Sequence, residues 1–521
     1  MLGDNREFVP PPSTAPPVTT SEDPGLLAAV DMGSNSFRLE IGRLAGERYR
    51  RHAYFKETVR LGAGLDEQGR LTEEAVERGL ACLAHFAQEL RGFDPAHVRV
   101  VATQTMREAA NRDEFLRRAQ PVLGFPIEVI SGREEARLIY AGVSYLQPSE
   151  DNRLVIDIGG RSTELILGQG AQPVSAESFP VGSVSLSLRF FPQGKLTAAA
   201  FRAAQIAAGA EFEEALQAFA PQHWSVALGS SGTVGAVSQI LERLGWTDGR
   251  ITPRALSALI HACIEAGHVD ELDLSAALRE DRRPVLPGGL AILYTLATHF
   301  GIEELHPAKG ALRQGVIVDL HQRWQVALEQ GGIDLRDRTV SALQRRFGAD
   351  VEQAARVREL AAHLHAQVQP DADVQARREL GWACELHELG MAVSHHDYHR
   401  HGAYLVSNLD AAGFSQSQQR RLGQLVLAQR GGLRKVEEWL GDEAFAWRAL
   451  CLRLAIIKCH SRQPVSLQAW RLKVSGRRAV LEAEPGWAES HPRTAYLLHE
   501  ELQAWARVSS LGLELAGVPE P

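Results

Sequence analysis

Two short segments with the same pattern constrain the fold of this chain more than any other feature. Residues 30–36 read VDMGSNS and residues 155–164 read VIDIGGRSTE. In each, an apolar run leads to an acid, a glycine turn with hydroxyl residues follows, and a second apolar-rich run begins. This pattern predicts two β-hairpins, each with a carboxylate at the end of its first strand. A turn of Gly and Ser offers backbone N–H groups and hydroxyls to phosphate oxygens, so two such turns can grip one phosphate from two sides.

The segments around the hairpins indicate a duplicated α/β unit. After the first hairpin, strand and helix patterns alternate: Thr72 precedes an amphipathic helix, and a strand follows at Val98–Ala102. After the second hairpin, a strand at Ser225–Leu228 runs into Gly229–Thr233 and an apolar helix. Because two similar halves leave a cleft between them, we expect the ligand site there.

The C-terminal part of the chain has a different character. From about residue 326 to 460 strand signals vanish and apolar residues follow helical spacing, which predicts an all-helical domain. Period-2 patterns near residues 470–474 and 479–483 and a last helix at about 492–507 predict a small α+β cap. The predicted boundaries are 25–140 and 141–325 for the two α/β halves, 326–460 for the helical domain and 461–521 for the cap.

Two segments raise the question of targeting or membrane insertion. The first 24 residues are rich in proline and hold no apolar core, which predicts a disordered tail rather than a signal peptide or a membrane segment. Residues 285–302 carry no formal charge, but Pro287, Gly288 and His299 interrupt them. This favours a buried core helix over a membrane span.

Cysteine usage and charge narrow the class of protein. The five cysteines are scattered without a CxxC pair, which argues against a disulfide framework and indicates a reducing, cytoplasmic compartment. The net charge of −8 argues against a nucleic-acid binder with a broad basic face. A polyanionic substrate stays compatible with this charge, because a local basic channel or bound Mg²⁺ sets the field that matters there.

Five motifs occur in a familiar order. They are Asp31-Met-Gly-Ser-Asn-Ser, Thr103-Gln-Thr-Met-Arg-Glu, Ser131-Gly-Arg-Glu-Glu-Ala-Arg, Asp157-Ile-Gly-Gly-Arg-Ser-Thr-Glu and Gly229-Ser-Ser-Gly-Thr. Together they resemble the exopolyphosphatase / guanosine pentaphosphate phosphohydrolase family, in its long bacterial form. The third motif is the most specific, because the related kinases and ATPases lack it. The resemblance implies a duplicated actin-like α/β core of the sugar kinase and Hsp70 type, followed by an HD-like helical domain.

The paired glutamates of the third motif have different expected roles. Ser131 and Glu134 fit a capping box, whereas Glu135 lies about 100° further around the helix and is free to face the cleft. From spacing alone, both acids also suit the positive end of the helix dipole. The resemblance implies that Glu135 is the general base, which takes a proton from a water molecule aimed at the terminal phosphorus.

Three further acids are candidate metal ligands. Mg²⁺ binds one or two carboxylates together with substrate phosphate, and it keeps several waters. By resemblance, Asp157 and Glu164 hold the metal or the lytic water, and Asp31 supports them from the other half. The alternative is a strand-end aspartate that only caps its turn.

The expected phosphate-binding residues come from both loops and two other motifs. They are Gly33, Ser34, Asn35 and Ser36 in the first loop, Gly159, Gly160, Arg161, Ser162 and Thr163 in the second, and Arg107 and Gly232 elsewhere. Arg161 stands where the family usually has a third glycine. Either its Cβ shifts the loop geometry, or its guanidinium adds a phosphate contact. Arg107 is expected to pair with phosphate or with a cleft acid, the alternative being a surface arginine. The loop of Gly232 faces adenosine in nucleotide-binding relatives, and here it contacts a further phosphate or only packs.

The histidines of the helical domain suggest a metal centre at first sight. The segment at His387-Glu388 resembles metal-dependent HD phosphohydrolases, but Glu388 stands where an HD site needs aspartate. We therefore expect an HD-like fold without its metal. His399 and His401, when protonated, are candidates to line a polyanion channel.

The combined prediction is an Mg²⁺-dependent exopolyphosphatase, which removes terminal phosphate from inorganic polyphosphate with base-activated water. The alternative substrate within the family is guanosine pentaphosphate (pppGpp). Two other classes are a kinase or ATPase on the same fold and a non-catalytic protein that binds polyphosphate or alarmone. Arg161 and Gln314 leave room for the latter, since Gln314 stands where relatives have glutamate. The family further implies a homodimer.

Overall fold

A computed structural model of the chain describes residues 25–46, 48–272, 278, 280–328, 334–508 and 511–519. The predicted tail at residues 1–24 lies outside these ranges. No helix within them is long and apolar enough to cross a bilayer.

The first lobe is a five-stranded sheet flanked by helices. Its elements are β1 (Leu27–Met32), β2 (Phe37–Ala45), β3 (Arg48–Glu57), α1 (Glu73–Glu89), β4 (Val98–Ala102), α2 (Gln104–Glu108), α3 (Arg112–Leu123), β5 (Ile127–Val129) and α4 (Gly132–Leu146). The strand order is β3-β2-β1-β4-β5, with β1 antiparallel to β2 and parallel to β4. All six residues of the central strand β1 are buried, because the sheet is covered on both faces. The first predicted hairpin is therefore confirmed, with Asp31 near the end of β1.

The second lobe repeats this plan. Its elements are β6 (Asn152–Ile158), β7 (Thr163–Gln169), β8 (Gln172–Phe179), α5 (Ser183–Phe190), α6 (Ala198–Phe212), β9 (Val226–Ser230), α7 (Ser231–Arg243), α8 (Pro253–Ala266), α9 (Leu286–His299), β10 (Leu305–Pro307) and α10 (Leu312–Leu328). The order β8-β7-β6-β9-β10 matches the first sheet strand for strand, and so do the directions of pairing. The predicted duplicated α/β core is confirmed.

Helices α4 and α10 pack against each other between the two sheets. One hydrophobic core around them joins Leu27 of β1, Val155 of β6 and Val316 of α10. The predicted domain boundaries at residues 140 and 325 fall inside these helices, which continue because each buries its apolar face at the lobe interface.

Helices make up the next part of the chain, as predicted. They are α11 (Leu335–Phe347), α12 (Val351–Val368), α13 (Val374–Leu386), α14 (Tyr398–Asn408), α15 (Gln416–Ala428) and α16 (Glu443–Lys458). They are followed by β11 (Trp470–Ser475), β12 (Arg478–Ala483), α17 (Trp487–Ser490), α18 (Pro492–Ala506) and β13 (Gly512–Ala516), in which the three strands form one sheet. Trp447, Trp470 and Trp505 lie in a single core, so the C-terminal sheet and the helices are packed as one unit rather than two.

Two predictions from composition are also confirmed. The uncharged segment at residues 285–302 contains α9, which is almost entirely buried. The five cysteines are all buried and unpaired.

A buried cluster of charges lies where the helical part meets the lobes. Asp319 on α10 accepts hydrogen bonds from Arg99 at 2.7 Å, Arg137 at 2.6 Å and Arg323 at 2.7 Å. Although burial raises the pKa of Asp319, the three arginines hold it well below its usual range. Pairing of this kind makes the burial of several charges tolerable.

Glu134 belongs to the same cluster and corrects part of the capping prediction. The Ser131 hydroxyl accepts from the Glu134 N–H at 3.2 Å, so the N-cap is present. The Glu134 carboxylate does not reach back to the cap. It accepts two hydrogen bonds from Arg137, both at 2.8 Å, and one from the Gly413 N–H at 3.0 Å. Glu134 thus ties the start of α4 to the loop between α14 and α15.

Candidate active site

The two predicted loops meet in a cleft of about 440 Å³ between the lobes. The turn after β1 and the turn after β6 approach each other closely. A Cβ on Gly160 would lie 3.2 Å from the Ser34 Cβ and 3.6 Å from the Asn35 backbone nitrogen. Glycine at this position therefore lets the loops face each other across the lobe boundary.

Most of the predicted site residues line this cleft. They are Asp31, Gly33, Ser34, Asn35, Ser36, Glu135, Asp157, Gly159, Gly160, Ser162 and Gly232. Four others, Arg107, Arg161, Thr163 and Glu164, are not among the described residues that line it. The Thr163 hydroxyl instead donates to the Val181 carbonyl at 2.6 Å and serves packing within the second lobe.

Glu135 lies in the first turn of α4 and faces the cleft. The start of this helix is pressed against β8: a Cβ on Gly132 would lie only 2.3 Å from the Ser178 Cβ. Arg107 fixes the carboxylate, since its NH1 donates to Glu135 Oε2 at 2.8 Å and to the Ile130 carbonyl at 3.0 Å. Of the alternatives for Arg107, the structure supports pairing with a cleft acid.

Glu135 and the acids beside it are buried close together, and their pKa values are raised. Burial raises the pKa of Glu135 to about 6, although the charge and hydrogen bond of Arg107 act against this. Burial also raises the pKa of Asp157 to about 6, opposed by the nearby Ser230 hydroxyl and by the charge of Arg38. Burial, then the charges of Glu135 and Asp157, raise the pKa of Glu164 well above its usual value. A site of this kind favours a proton or a cation among the carboxylates.

Glu164 lies behind the cleft surface, opposite Asp157 in the β6–β7 hairpin. It is fully buried, and its Oε1 accepts from the Ser178 hydroxyl at 2.8 Å. Its Oε2 has no hydrogen-bond partner among the described residues, which suits an additional cation or water there.

The carboxylates of the site meet part of the coordination that Mg²⁺ needs. Within the described ranges, no three His, Cys, Asp or Glu residues are arranged to hold a metal ion. Asp157 and Glu164 still supply the one or two carboxylates that Mg²⁺ takes from a protein when phosphate oxygens and waters complete its octahedron. The residues fit the metal in this limited sense.

Asp31 is held by cations instead. Its Oδ2 lies 3.2 Å from Arg38 NH1 and 3.5 Å from Arg313 NH1. Arg38 stands directly opposite Asp31 in the β1–β2 hairpin, and Lys56 of β3 is the next residue in the same row.

The sequence prediction missed the basic residues of the cleft. They are Arg38, Arg51, Lys56, Arg282, Lys309 and Arg313. A signal was available for Arg38, because counting outward from the four-residue turn places it opposite Asp31. No local pattern marks Lys309, in the segment that leads into α10, or Arg313, in the first turn of α10; the packing of the lobes brings both to the cleft.

Two departures from the family pattern have structural explanations. Arg161 does not adopt a left-handed backbone conformation, and its side chain crosses to the first lobe, where it donates to Glu108 at 2.7 Å and to the Gly62 carbonyl at 3.2 Å. Gln314 donates to both carboxylate oxygens of the buried Glu40, at 2.7 and 2.8 Å. A glutamate at position 314 would bring two buried carboxylates together, so glutamine matches its partner here.

The loop after β9 lines the cleft with some residues and is held in place by the hydroxyls of others. Ser231 and Gly232 line the cleft. The Ser230 hydroxyl donates to the Gly310 carbonyl at 3.1 Å, and the Thr233 hydroxyl donates to the Ile158 carbonyl at 3.2 Å. The hydroxyls therefore brace the loop, while its backbone borders the cleft.

Two histidines of the helical part, His387 and His399, are buried. Burial lowers the pKa of His399 to about 4, with Lys435 adding to the effect, which favours a neutral ring near pH 7. A polyanion channel lined by His399 and His401 stays a prediction. The His387 Nδ1 lies 2.6 Å from the Cys384 carbonyl, and Arg462 donates to Glu388 at 2.5 Å. None of these residues, nor His401, is among the described residues that line the cleft.

Comparison with known families agrees with this fold and cleft. The model of the Ppx/GppA phosphatase family matches residues 53–324, and that of Ppx/GppA phosphatase, domain III, matches residues 335–503. The chain therefore belongs to the Ppx/GppA phosphatase family.

Solved structures show the same similarity. An exopolyphosphatase-like protein is 25% identical, and the match covers 57% of this chain and 98% of that chain with a TM-score of 0.51. An exopolyphosphatase from Cytophaga hutchinsonii is 23% identical over 57% of this chain and 98% of that one, with a TM-score of 0.52. The Aquifex aeolicus PPX-GPPA enzyme is 25% identical over 56% and 98%, with a TM-score of 0.48.

Proposed function

We propose that this protein is an exopolyphosphatase that hydrolyses the terminal phosphate of inorganic polyphosphate, with Glu135 as the general base. The observation that carries the proposal is the position of Glu135. It is a buried carboxylate with a pKa raised to about 6, oriented by Arg107 and facing a cleft between two phosphate-type loops. A base with such a pKa is deprotonated at neutral pH and still accepts a proton readily.

The proposed step is an in-line attack of water on the terminal phosphorus. The water oxygen forms the new P–O bond, its proton passes to Glu135, and the bond from phosphorus to the bridging oxygen breaks. The shortened chain leaves with the electron pair of that bond. Backbone N–H groups and hydroxyls of the two loops, including Ser34 and Ser162, stabilise the charge that spreads over the equatorial oxygens.

Asp157 and Glu164 are the residues that we assign to Mg²⁺. When bound, the ion neutralises charge on the phosphoryl oxygens. Asp31, paired with Arg38 and Arg313, keeps these two arginines in place beside the first loop.

The cleft favours a linear polyanion over a nucleotide. Six basic residues are among the described residues that line it, despite the net charge of −8 of the whole chain. Tyr54 is the one aromatic residue among the described residues that line it. The Arg51 guanidinium lies 5.6 Å and that of Arg313 5.2 Å from its ring centroid, so cations already occupy the surface on which a guanine would stack.

The test is phosphate release with Mg²⁺ from long-chain polyphosphate, guanosine pentaphosphate and ATP, each over a range of concentrations. We expect the highest kcat/KM for polyphosphate. A higher value for guanosine pentaphosphate would reverse the substrate assignment and keep the mechanism. ATP consumption that depends on a phosphate acceptor would indicate a kinase, and tight polyphosphate binding without release from any substrate would indicate a sensor protein.

Three finer features stay predictions of the family resemblance. They are the HD-like origin of the helical domain, the homodimer and the cytoplasmic location.

A further inference from the structure

Arg161 joins the two lobes at a point beside the cleft. It lies in the turn between β6 and β7, next to Gly160 of the second loop. Its Nε donates to Glu108 Oε2 at 2.7 Å, and its NH1 donates to the Gly62 carbonyl at 3.2 Å. Both acceptors belong to the first lobe, so these hydrogen bonds form only when the lobes are together.

A continuous series of hydrogen bonds leads from this contact to the proposed base. Gln104 Nε2 donates to Glu108 Oε1 at 2.6 Å, and Gln104 Oε1 accepts from Arg107 Nε at 2.8 Å. Arg107 NH1 in turn donates to Glu135 Oε2 at 2.8 Å. Three side chains of the short helix α2 thus connect Arg161 to Glu135.

We propose that Arg161 is a positioning residue, which couples the approach of the two lobes to the orientation of the Glu135 carboxylate through Glu108, Gln104 and Arg107. The proposal rests on the proposed function, in which Glu135 is the base. It gives Arg161 a role outside the cleft, at a position where the family usually has glycine.

The Gln104 amide fits its two neighbours in only one orientation. Its amide nitrogen faces a carboxylate and its amide oxygen faces a guanidinium, and a flipped amide would set NH₂ against the guanidinium. Glu108 therefore holds the amide in the orientation that Arg107 needs. Without Arg161, Glu108 loses its own anchor, and the Arg107 guanidinium is less restrained against Glu135.

The two ends of the series differ in exposure. The Arg161 and Glu108 side chains are 22% and 28% exposed, whereas those of Arg107 and Glu135 are 11% and 9% exposed. Because water reaches the pair of Arg161 and Glu108, this pair can break and re-form as the lobes move. The second pair lies in a less polar setting, where a small change in geometry has a larger electrostatic effect.

The charged groups around Glu135 determine whether its pKa rises or falls when its pairing with Arg107 weakens. Arg107 of α2 lowers its pKa, and Asp157 of β6 and Asp31 of β1 raise it. Glu164 of β7 is a further acid that interacts with it. Weaker pairing with Arg107 therefore raises the pKa of Glu135 and moves the acid limb of kcat/KM to higher pH.

The test is the pH profile of kcat/KM on long-chain polyphosphate with Mg²⁺ for Arg161→Gly, Glu108→Ala and the double variant. We expect both single variants to move the acid limb upward by roughly half a unit to one unit, which is about a 2–5-fold loss at pH 6 relative to pH 8.5. The double variant should move no further, since both substitutions break the same series. Arg250→Gly, which removes a surface pair with Glu304 in the second lobe, is the matched control and should leave the limb in place.

The possible results distinguish a failure of the Arg161 coupling from a failure of Glu135 as the base. A direct through-space charge effect would shift the limb upward in Arg161→Gly and downward in Glu108→Ala, and that result would overturn the proposal. So would an unchanged limb in both variants while Glu135→Gln is inactive. A Glu135→Gln variant as active as wild type would instead remove the proposed base, and the coupling with it.

Discussion

The two lobes repeat one sheet but carry different chemistry at equivalent positions. The row beside the first loop, across β4, β1, β2 and β3, is Val101, Asp31, Arg38 and Lys56. The equivalent row beside the second loop, across β9, β6, β7 and β8, is Ser230, Asp157, Glu164 and Ser178. The aspartate is common to both rows. Its neighbour on the next strand is a cation in the first lobe and an acid in the second.

This difference shows how two copies of one fold supply opposite charges to the same cleft. The shared backbone gives two loops that face each other across one cleft, and the three positions at which the rows differ decide which charges each lobe contributes. The first lobe contributes the cations Arg38 and Lys56 to the cleft. The second presents buried acids that stay protonated to a higher pH than usual and attract a cation.

The largest effect is expected from the aspartate of the second lobe. Asp157→Asn should lower phosphate release by about 10²-fold or more and raise the Mg²⁺ concentration needed for half-maximal rate, because a carboxylate ligand is lost. The measurement is a Mg²⁺ titration of the steady-state rate. Asp151→Asn, an exposed aspartate just before the same strand, serves as the control. An unchanged Mg²⁺ dependence in Asp157→Asn would take this residue out of metal binding.

A smaller and different effect is expected from the first lobe. Arg38→Gln should raise KM for polyphosphate by roughly 10-fold with less change in kcat, because one cation contact to the substrate disappears. The rise should shrink as salt is added, since charge pairing is screened. Arg43→Gln on the exposed face of the same strand is the matched control. A fall in kcat at constant KM would place Arg38 in the chemical step instead.

The pH dependence of wild-type kcat/KM tests the protonation states of Glu135 and Asp157. Activity requires charged carboxylates, and the pKa values of Glu135 and Asp157 are both raised to about 6 by burial. At low Mg²⁺ concentration, where protons compete with the ion for Asp157, kcat/KM should therefore fall as the pH drops through about 6, with a slope steeper than one proton. In Asp157→Asn the residual activity should show a slope of one. Activity retained in full at pH 5 would contradict the assignment.

The smallest predicted effect is on stability, and its sign differs between the lobes. The raised pKa of Glu164 means that its charged form costs stability above that pKa, and this cost disappears as the pH falls below the unfolded-state value. Glu164→Gln should raise the thermal midpoint at pH 8 by roughly 1–3 °C, and the gain should vanish near pH 4. Asp31→Asn should lower the midpoint at pH 8, since Asp31 is paired with Arg38 and Arg313. A lower midpoint for both variants would indicate that the two rows are alike.

Local patterns predicted the scaffold of the site well. Each hairpin has an apolar strand, a four-residue turn and a second strand, and this alone placed Asp31 and Asp157 at strand ends. The N-cap at Ser131 followed from its spacing to the helix, and with it the exposure of Glu135 to the cleft. These features depend on residues within one or two turns of each other, where propensity and capping decide the conformation.

Long-range packing decided what the sequence did not reveal. Glu134 was expected to complete its cap, but Arg137 and the distant Gly413 hold its carboxylate. Arg161 was expected at the phosphate, but Glu108 of the other lobe takes its guanidinium. Arg137 is a helical neighbour of Glu134, but Gly413 for Glu134 and Glu108 for Arg161 are partners more than 50 positions away, which no local rule describes.

The central claim is that the lobes bind the phosphate chain and Glu135 activates the water. The most direct measurement compares polyphosphate binding and phosphate release in Glu135→Gln, with Glu304→Gln on the surface as the control. We expect a dissociation constant within about threefold of wild type and a release rate lower by about 10²–10⁴-fold, the usual contribution of a general base. Release at the wild-type rate in Glu135→Gln would contradict it.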